Sequence, residues 1–308
     1  MIDINKIKSY ARSLGFVDCG IAPVRILSEQ EQPLYRWLAS SYNGKMGYME
    51  NNIDKRLDPS LLVDDAESVI VVILNYYPSK VYNNPHKPHI AKYAYGDDYH
   101  YIIKSKLEKL LLHLKEFDET IEGRCFVDSA PVLEHTWACE AGLGWIGKNS
   151  LLITKKWGSY VFIGELIINK KLDYDTPNKK SFCGTCSECI KACPTSAIVE
   201  PKIVDARKCI SYNTIELKDE IPSDIINKIG NTIYGCDICQ DVCPWNKKII
   251  AHSHEEFKPN DLLLNMDYCD WINMTNSQFK RLVKNSPMKR AGLKKIKKTI
   301  LSLIDKKK

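Results

Sequence analysis

The sequence has no long hydrophobic run. Its longest apolar stretches, such as VIVVILN at residues 69–75, are far shorter than the roughly 20 residues of a membrane-spanning helix. The N-terminal segment MIDINKIKSYARSLGF is charged and amphipathic, and it lacks the apolar centre of a secretory signal peptide. We therefore expect a cytoplasmic protein that does not enter a membrane.

Acidic residues are nearly absent from the C-terminal tail. Residues 280–308 contain twelve lysines and arginines but one acid, Asp305, which gives a net charge of +11. The rest of the chain holds 32 basic and 37 acidic side chains, a net charge of −5. A basic tail on an acidic body is typical of a protein that binds a polyanion such as nucleic acid. The alternative is a solvated lysine-rich helix without a partner.

The pattern of apolar residues divides the chain into three parts. Residues 1–180 predict an α/β region that includes a buried strand at 69–75 and an amphipathic helix at 98–117. Residues 181–250 hold eight of the twelve cysteines. The remainder, 251–308, is predicted to be helical and then basic.

Helix starts are predicted at three places. Ser28 with Glu31 three residues later indicates a capping box, and Pro131 indicates a helix that runs to about Gly142. Ser286 and the proline after it predict a last helix, whose apolar face carries Leu293, Ile296, Ile300 and Ile304.

Twelve cysteines in a reducing compartment indicate metal or redox chemistry rather than disulfides. The string CGTCSECIKACP at 183–194 has the spacing C-x2-C-x2-C-x3-C-P of bacterial ferredoxins. Three closely spaced thiolates can bind three corners of one 4Fe–4S cubane, and the fourth reaches another cluster. A zinc site, the alternative, usually uses two separated C-x2-C pairs.

A second motif at 236–244 has one cysteine fewer, and the lone Cys209 upstream completes a set of eight. The exchange of the fourth ligand predicts two 4Fe–4S clusters. The first would use Cys183, Cys186, Cys189 and Cys243, and the second Cys193, Cys209, Cys236 and Cys239. The other four cysteines are expected to be small buried hydrophobes: Cys19, Cys125, Cys139 and Cys269.

Two low-potential clusters in series carry electrons one at a time from a donor to an acceptor. A simple ferredoxin would need little beyond residues 181–250, but here about 180 residues precede them. We therefore predict an enzyme whose electron acceptor lies in the N-terminal region. The alternative from another class is a non-enzymatic electron-transfer protein.

Six segments, in this order, resemble the epoxyqueuosine reductase family, and the resemblance extends from residue 1 to about 295. The segments are KRLDP (55–59), YAYGDDYHYIIK (93–104), VDSAPVLEHTWACEAGLGWIGKNSLLI (127–153), the cassette at 183–194, CISYNTIE (209–216) and YGCDICQDVCPWN (234–246).

The resemblance implies an α+β multidomain fold. Residues 1–180 would form a nitroreductase-like α/β domain that binds cobalamin and carries out catalysis, and 181–250 a ferredoxin-like domain with two 4Fe–4S clusters. Residues 251–308 would form a short helical, HEAT-like region that binds tRNA. The D-x-H-x-x-G signature of a histidine-ligated cobalt is absent, because Ile103 stands where the glycine would be.

The implied reaction is the last step of queuosine biosynthesis, in which epoxyqueuosine at the wobble position of tRNA is reduced to queuosine. It consumes two electrons and two protons, and cobalamin would receive the electrons from the two clusters. The implied partners are tRNA and an external low-potential electron donor, and we expect a monomer. A second alternative is a cobalamin and iron–sulfur reductase of a small molecule, similar to reductive dehalogenases.

The resemblance also assigns roles to single residues. Asp128 matches the family's proton donor, and a carboxyl beside an apolar macrocycle is expected to have a raised pKa; its alternative role is to cap the helix after it. Tyr99 is a second polar group of the pocket, or else a packed aromatic. Arg56 would meet cobalamin or substrate, or form a surface ion pair.

Further contacts complete the expected sites. Cobalamin would be bound by Arg56, Asp128, Lys148, Ser150, Leu152, Ile153 and Ser211. The phosphates of tRNA would be neutralised by Lys289, Arg290, Lys294, Lys295, Lys297 and Lys298. The chain departs from the family at Ser129-Ala130, where Thr-Gly is more usual, and at His135, where an arginine is common.

Overall fold

The computed structural model describes residues 2–82 and 84–306. Its helices are α1 (Ile4–Ser13), α2 (Ser28–Ala39), α3 (Ile53–Leu57), α4 (Tyr99–Lys115), α5 (Glu134–Glu140), α6 (Glu188–Ala192), α7 (Ile210–Ile215), α8 (Ser223–Ile226), α9 (Ile238–Asp241), α10 (Asp261–Asn265), α11 (Tyr268–Asn273), α12 (Asn276–Leu282) and α13 (Gly292–Asp305). Among the described residues, no helix is long and apolar enough to cross a membrane.

The strands are short except in one central sheet. They are β1 (Asp18–Pro23), β2 (Ser68–Asn75), β3 (His89–Ile90), β4 (Gly123–Phe126), β5 (Trp145–Ile146), β6 (Leu152–Ile153), β7 (Val161–Ile168), β8 (Ile198–Glu200), β9 (Ile203–Val204) and β10 (Thr232–Tyr234). The central sheet has the order β1-β2-β7-β4, and its neighbouring strands are antiparallel.

Helices cover both faces of the central sheet, which explains why β2 is apolar at almost every position and buried along its whole length. Ile70, Val72 and Leu74 pack against α1 and α4 on one face. Val71 and Ile73 pack with Trp137 of α5 on the other. Burial of such side chains contributes roughly 1.5–3 kcal/mol each, so the sheet is a rigid support for the loops at its ends.

A third apolar core joins the cysteine-rich part to the C-terminal helices. Ile210 and Ile215 of α7 and Ile233 of β10 pack in one cluster with Trp271 of α11 and Ile300 of α13. β10 also pairs in parallel with β3, from the N-terminal region. Residues on both sides of the expected boundaries near 180 and 250 therefore pack against each other.

The predicted elements are largely found. The predicted helix at 98–117 is α4, whose N-cap Asp98 accepts a hydrogen bond from the His100 backbone. The helix expected from Pro131 begins three residues later, at Glu134. The predicted capping box is wrong, because Leu27 is the N-cap of α2 and Ser28 is already helical.

Candidate active site and cluster cavities

Four cysteine thiols surround one cavity of about 250 Å³. Cys183, Cys186 and Cys189 come from the first motif and Cys243 from the second. No three His, Cys, Asp or Glu side chains in the described residues are grouped closely enough to hold a metal ion. A thiol-lined cavity fits a cubane, which spreads its ligands over four separate irons. The structure thus brings together the four residues predicted for the first cluster.

The other four predicted ligands form a second group. Cys193 lies within electrostatic range of Cys209 and Cys236, and Cys209 within range of Cys239. The pKa of the Cys236 thiol is raised to about 12, chiefly by burial. A buried thiolate needs a compensating cation, which iron in a cluster supplies. Cys239 also interacts with Cys189 of the first group, so the two groups adjoin.

The remaining cysteines differ in exposure. Cys19 is buried, and Cys125 and Cys139 are half-buried. Burial raises the pKa of the Cys19 thiol to about 12, as expected for an inert core residue. Cys269 is exposed, so the expectation that all four are buried is wrong for this residue.

A larger, mostly apolar cavity of about 750 Å³ lies beside the second thiol group. Such a volume is within the range of small-molecule and cofactor sites. Cys209, Ser211 and Ser150 are among the residues that line it. Its apolar wall includes Leu34, Trp37, Met46, Met49, Val204 and Tyr212. A molecule bound here would therefore lie next to a ligand of the second cluster.

Ser150 offers this cavity an unused hydrogen-bonding group. Its backbone is left-handed, with φ of +67°, and its buried Oγ has no hydrogen-bond partner within residues 2–82 and 84–306. An unsatisfied buried hydroxyl costs about 1–3 kcal/mol. A bound ligand with an amide or hydroxyl group would offset that cost, so the cavity fits a molecule with polar substituents on an apolar body.

Three of the residues expected at cobalamin, Lys148, Leu152 and Ile153, do not line this cavity. The ammonium of Lys148 donates hydrogen bonds to the backbone oxygens of Gly184 at 2.8 Å and Cys186 at 2.7 Å. Lys148 and Ile153 both line the first thiol cavity. Lys148 thus holds the loop of the first cluster motif, and its expected place at the edge of the cobalamin site stays a prediction. Leu152 is buried in the apolar core that also contains Trp137 of α5.

Arg56 is buried and supports the wall of the apolar cavity. Its Nη2 donates a hydrogen bond of 2.9 Å to the backbone oxygen of Tyr48, and its Nε has no partner in the described part of the chain. Burial lowers the pKa of its guanidinium. The alternative of a surface ion pair is therefore wrong for Arg56.

A third cavity, of about 610 Å³, is polar and shares wall residues with the apolar one. Tyr48, Ile215 and Glu216 line both. The polar cavity is also lined by Asp128, Tyr99, His100, Lys104, Lys289 and Arg290. The predicted proton donor and two residues of the basic tail thus open onto one space, next to the space that fits a cofactor.

The carboxylate of Asp128 lies at the centre of a hydrogen-bonded group. The Tyr99 hydroxyl donates to its Oδ2, and Nε2 of His100 lies 3.2 Å from the same oxygen. On its other side, Nδ1 of His100 lies 2.6 Å from Oδ1 of Asp98. The Tyr99 ring is fixed by stacking on Phe162, with ring centroids 4.1 Å apart. Both ends of the His100 ring therefore face carboxylates.

The electrostatics of this group differ from the expectation. Burial raises the pKa of Asp128, but hydrogen bonds from His100 and Tyr99 and the charges of His100 and Arg290 together lower it below its ordinary value. Burial would also lower the pKa of His100, yet its bonds to Asp128 and Asp98 raise it to about 9. The prediction of a raised pKa for Asp128 is therefore wrong. At neutral pH the Asp128 carboxyl group is ionised and the His100 imidazole is protonated.

Two further acids, for which no sequence pattern indicates a role, interact with Asp128. The Glu134 carboxylate accepts a hydrogen bond from the Asp128 backbone N–H, and burial and the Asp128 charge raise its pKa to about 8. Glu165 of β7 is 1% exposed, and its Oε1 has no partner within the described residues. Burial, then the charges of Glu134 and Asp128, hold its pKa well above the usual range. The signal that could have identified it is an acid inside the apolar string YVFIGELII.

The residues expected at tRNA phosphates fall into three groups. Lys289 and Arg290 are exposed at the polar cavity, and Arg290 is paired with Glu216 at 2.5 Å. Lys294 and Lys298 are exposed on α13, and Lys297 is half-buried. Lys295 is 5% exposed, and its Nζ donates to the backbone oxygen of Asp219 at 3.1 Å. Because that ammonium faces the interior, Lys295 is removed from the expected set.

Two segments of the chain match models of known protein families. Residues 182–246 match the family model of the 4Fe–4S double cluster binding domain. Residues 56–129, which include Arg56, Tyr99 and Asp128, match the model described as epoxyqueuosine reductase QueG, DUF1730. The epoxyqueuosine reductase of Cellulophaga algicola is 51% identical over 293 residues, which cover 94% of this chain and 95% of that protein. The chain belongs to the epoxyqueuosine reductase family.

More distant members of the family are also similar over nearly the whole chain. The epoxyqueuosine reductase of Escherichia coli is 39% identical over 300 residues, 94% of this chain and 79% of that protein. A crystal structure of an epoxyqueuosine reductase with an epoxyqueuosine-modified tRNA-Tyr stem loop superposes with a TM-score of 0.91 and 30% identity, covering 98% of this chain and 80% of that one. The mixed helix and sheet architecture is therefore that of the family, and members of the family are oxidoreductases.

Proposed function

We propose that this chain reduces epoxyqueuosine in tRNA to queuosine. The observation that carries the proposal is the contact between two cavities: the polar one holds Asp128, Tyr99 and His100, and the apolar one is walled by Cys209. A reducing group and a proton source can therefore act on one substrate from neighbouring positions. The family to which the chain belongs has the same activity in its name.

The apolar cavity is the proposed site of cobalamin. Ser150 and Ser211 would hold polar groups at its edge, with Arg56 supporting the wall at Tyr48. Bound cobalamin supplies a low-valent metal centre that can deliver electrons to a carbon–oxygen bond. This chain's part would be to exclude water with the apolar wall and to hold the cofactor beside the cavity that contains Asp128.

The eight thiols are the proposed ligands of two 4Fe–4S clusters, in the two groups described above. Their order suggests the direction of electron flow. The first group adjoins the second through Cys189 and Cys239, and the second borders the apolar cavity through Cys209. Each step carries one electron, so reduction of one epoxide needs two passages through the chain of clusters.

Protons for the departing oxygen come from the group around Asp128. His100 is the protonated member at neutral pH, and its contact with Asp128 allows the proton to pass to the carboxylate and on to the oxygen. Tyr99 fixes the carboxylate by its hydrogen bond. Asp128 and Tyr99 are the proposed catalytic residues, and His100 supplies the first proton.

The tRNA is proposed to approach the polar cavity. Lys289 and Arg290 line its mouth, and Lys294, Lys297 and Lys298 continue the basic surface along α13. A wobble base could then be turned out of the anticodon loop into the cavity, since enzymes commonly read such bases in this form. Binding would weaken as salt rises, because lysines displace counterions from phosphates.

The finer organisation is proposed by resemblance to the family. Residues 1–180 correspond to a nitroreductase-like α/β domain, 181–250 to a ferredoxin-like domain and 251–308 to a short HEAT-like region. We further propose that the protein works in the cytoplasm as a monomer and receives electrons from an external low-potential donor.

The test is complementation. Cells that lack their own epoxyqueuosine reductase are given this chain, and the nucleosides of their tRNA are measured by mass spectrometry. We expect epoxyqueuosine to be replaced by queuosine with the wild type, but not with Asp128→Asn. Persistence of epoxyqueuosine in the presence of folded, cluster-loaded wild-type protein would contradict the proposal.

A further inference from the structure

The two thiol groups have different surroundings. The second group borders the interior apolar cavity through Cys209. The first group lies under residues at the surface: Phe182 is 37% exposed, and Gly184 and Pro244 are exposed as well. If electrons leave the chain of clusters at the apolar cavity, they must enter it at the first group.

An aromatic cluster forms the outer wall of the first thiol cavity. The rings of Trp145 and Phe182 lie 5.1 Å apart, and those of Trp145 and Trp245 lie 4.8 Å apart. Phe182 and Trp245 line the same cavity as Cys183 and Cys243. This wall is apolar and reaches the surface at Phe182, which allows a partner to approach the cluster with little water between them.

Six exposed lysines flank this wall on three chain segments, and we name them the lysine collar: Lys155, Lys156, Lys179, Lys180, Lys247 and Lys248. Lys155 Nζ lies 4.5 Å from the centre of the Phe182 ring. The first and third segments are joined by a hydrogen bond of 2.8 Å from the Ser159 N–H to Asn246 Oδ1. Within the described residues no ion pair involves any of the six, and Lys156 lies over the ring of Trp157. No carboxylate therefore neutralises their charges.

We propose that the lysine collar is the docking surface for an acidic one-electron carrier protein that reduces the first cluster. The inference rests on the proposed function, because the carrier protein would be the electron donor of that reaction. Two reduced carriers would each give one electron, and with one proton from the His100–Asp128 pair and one from solvent, one epoxide would become one alkene and one water. Complementary charge steers such encounters and raises their rate without tight binding.

Nucleic acid is the other polyanion that lysines attract, but the position of the collar favours a protein. The first thiol cavity and the polar cavity have no lining residue in common. The substrate side already has its own basic residues in Lys289 and Arg290. An exposed aromatic ring, that of Phe182, beside a redox centre is suited to electron entry and not to phosphate binding.

The experiment compares two electron sources by stopped-flow absorbance of the cluster-loaded protein. The probes are a reduced acidic flavodoxin and dithionite, which is too small to need a docking surface. The variant is Lys247→Glu with Lys248→Glu, and the matched control is Lys109→Glu with Lys228→Glu, two exposed lysines that line none of the cavities described here.

We expect the collar variant to lose about ten-fold or more in the second-order rate with flavodoxin at low ionic strength, and the loss to shrink as salt is added. Reduction by dithionite and affinity for tRNA should not change. Equal flavodoxin rates in variant and control would overturn the proposal, as would a loss of tRNA affinity in the collar variant alone. Failure of dithionite to reduce any cluster would instead count against the proposed function.

Discussion

Nε2 of His100 lies 3.2 Å from Oδ2 of Asp128, while Nδ1 of the same ring lies 2.6 Å from Asp98. Two carboxylates on opposite edges stabilise the imidazolium, so its pKa rises to about 9 although burial opposes this. The same contact, with that from Tyr99, keeps the pKa of Asp128 low. The acid of the site is therefore a pair that holds one proton, not an isolated carboxyl group.

Removal of the imidazole tests this pair. We expect His100→Gln to retain both clusters and to slow single turnover by about 10²-fold or more, the usual contribution of a positioned acid. His113→Gln on the same helix is the matched control, because His113 pairs with Glu116 far from the site. The measurement is the rate of queuosine formation by quenched flow and mass spectrometry. Equal rates in the two variants would exclude His100 from proton supply.

The pair also predicts a pH dependence. The folded pKa of His100 is raised from 6.5 to about 9, so its stabilising contribution is complete below 6.5 and is lost as the pH rises through about 9. Turnover should fall over the same range, because the proton source is lost. Thermal unfolding and turnover measured from about pH 6 to 10 would show both changes in the wild type. In His100→Gln the alkaline fall should be absent; a fall of the same size in the variant would assign it to another group.

The stability contributed by Glu165 should change with pH in the direction opposite to that of an acid in an ion pair. Burial keeps its carboxyl protonated in the folded protein, whereas the unfolded chain ionises above about 4.5. Its contribution to stability is therefore complete below 4.5 and is lost as the pH rises. Because glutamine does not ionise, Glu165→Gln should not lose stability as the pH rises. The melting temperature of the variant should match that of the wild type near pH 5 and exceed it by a few degrees near pH 8. The exposed Glu119→Gln is the control, and a constant difference across this pH range would contradict the raised pKa.

The lone Cys209 provides a test of the second cluster. We expect Cys209→Ser to reduce the iron content from about eight to about four per chain, since one of two 4Fe–4S clusters loses a ligand. Turnover should be abolished, because Cys209 lies in the wall of the proposed cofactor cavity. Cys269→Ser, which changes an exposed cysteine outside both groups, should retain all the iron. Full iron content in Cys209→Ser would show that another residue completes the set.

Sequence patterns were sufficient where local geometry decides the outcome. The apolar run of β2 and the spacing of α4 predict their elements because burial repeats with the period of each structure. The cysteine spacing predicted two groups of thiols because few arrangements of a short loop can surround a cubane.

Patterns failed where a distant segment decides the environment of a side chain. The pKa of Asp128 depends on His100 and Tyr99, which lie almost thirty residues earlier in the chain. The hydrogen bonds of Lys148 to backbone oxygens of a loop 36 and 38 residues away were likewise not predicted. The periodic pattern of apolar residues carries no information about contacts between distant segments, so these contacts are seen only in the folded structure.

Two lysines of α13 separate RNA binding from packing. Lys298 is exposed, so Lys298→Ala should weaken tRNA binding and reduce the slope of log affinity against log salt by about 1, the change expected for one phosphate contact. Lys295 is buried, and burial lowers its pKa to about 8. Lys295→Met keeps the aliphatic stem and should leave the salt slope unchanged. Fluorescence anisotropy of a labelled anticodon stem loop at several salt concentrations measures both slopes; a shallower slope for Lys295→Met would mean that its ammonium reaches the RNA after all.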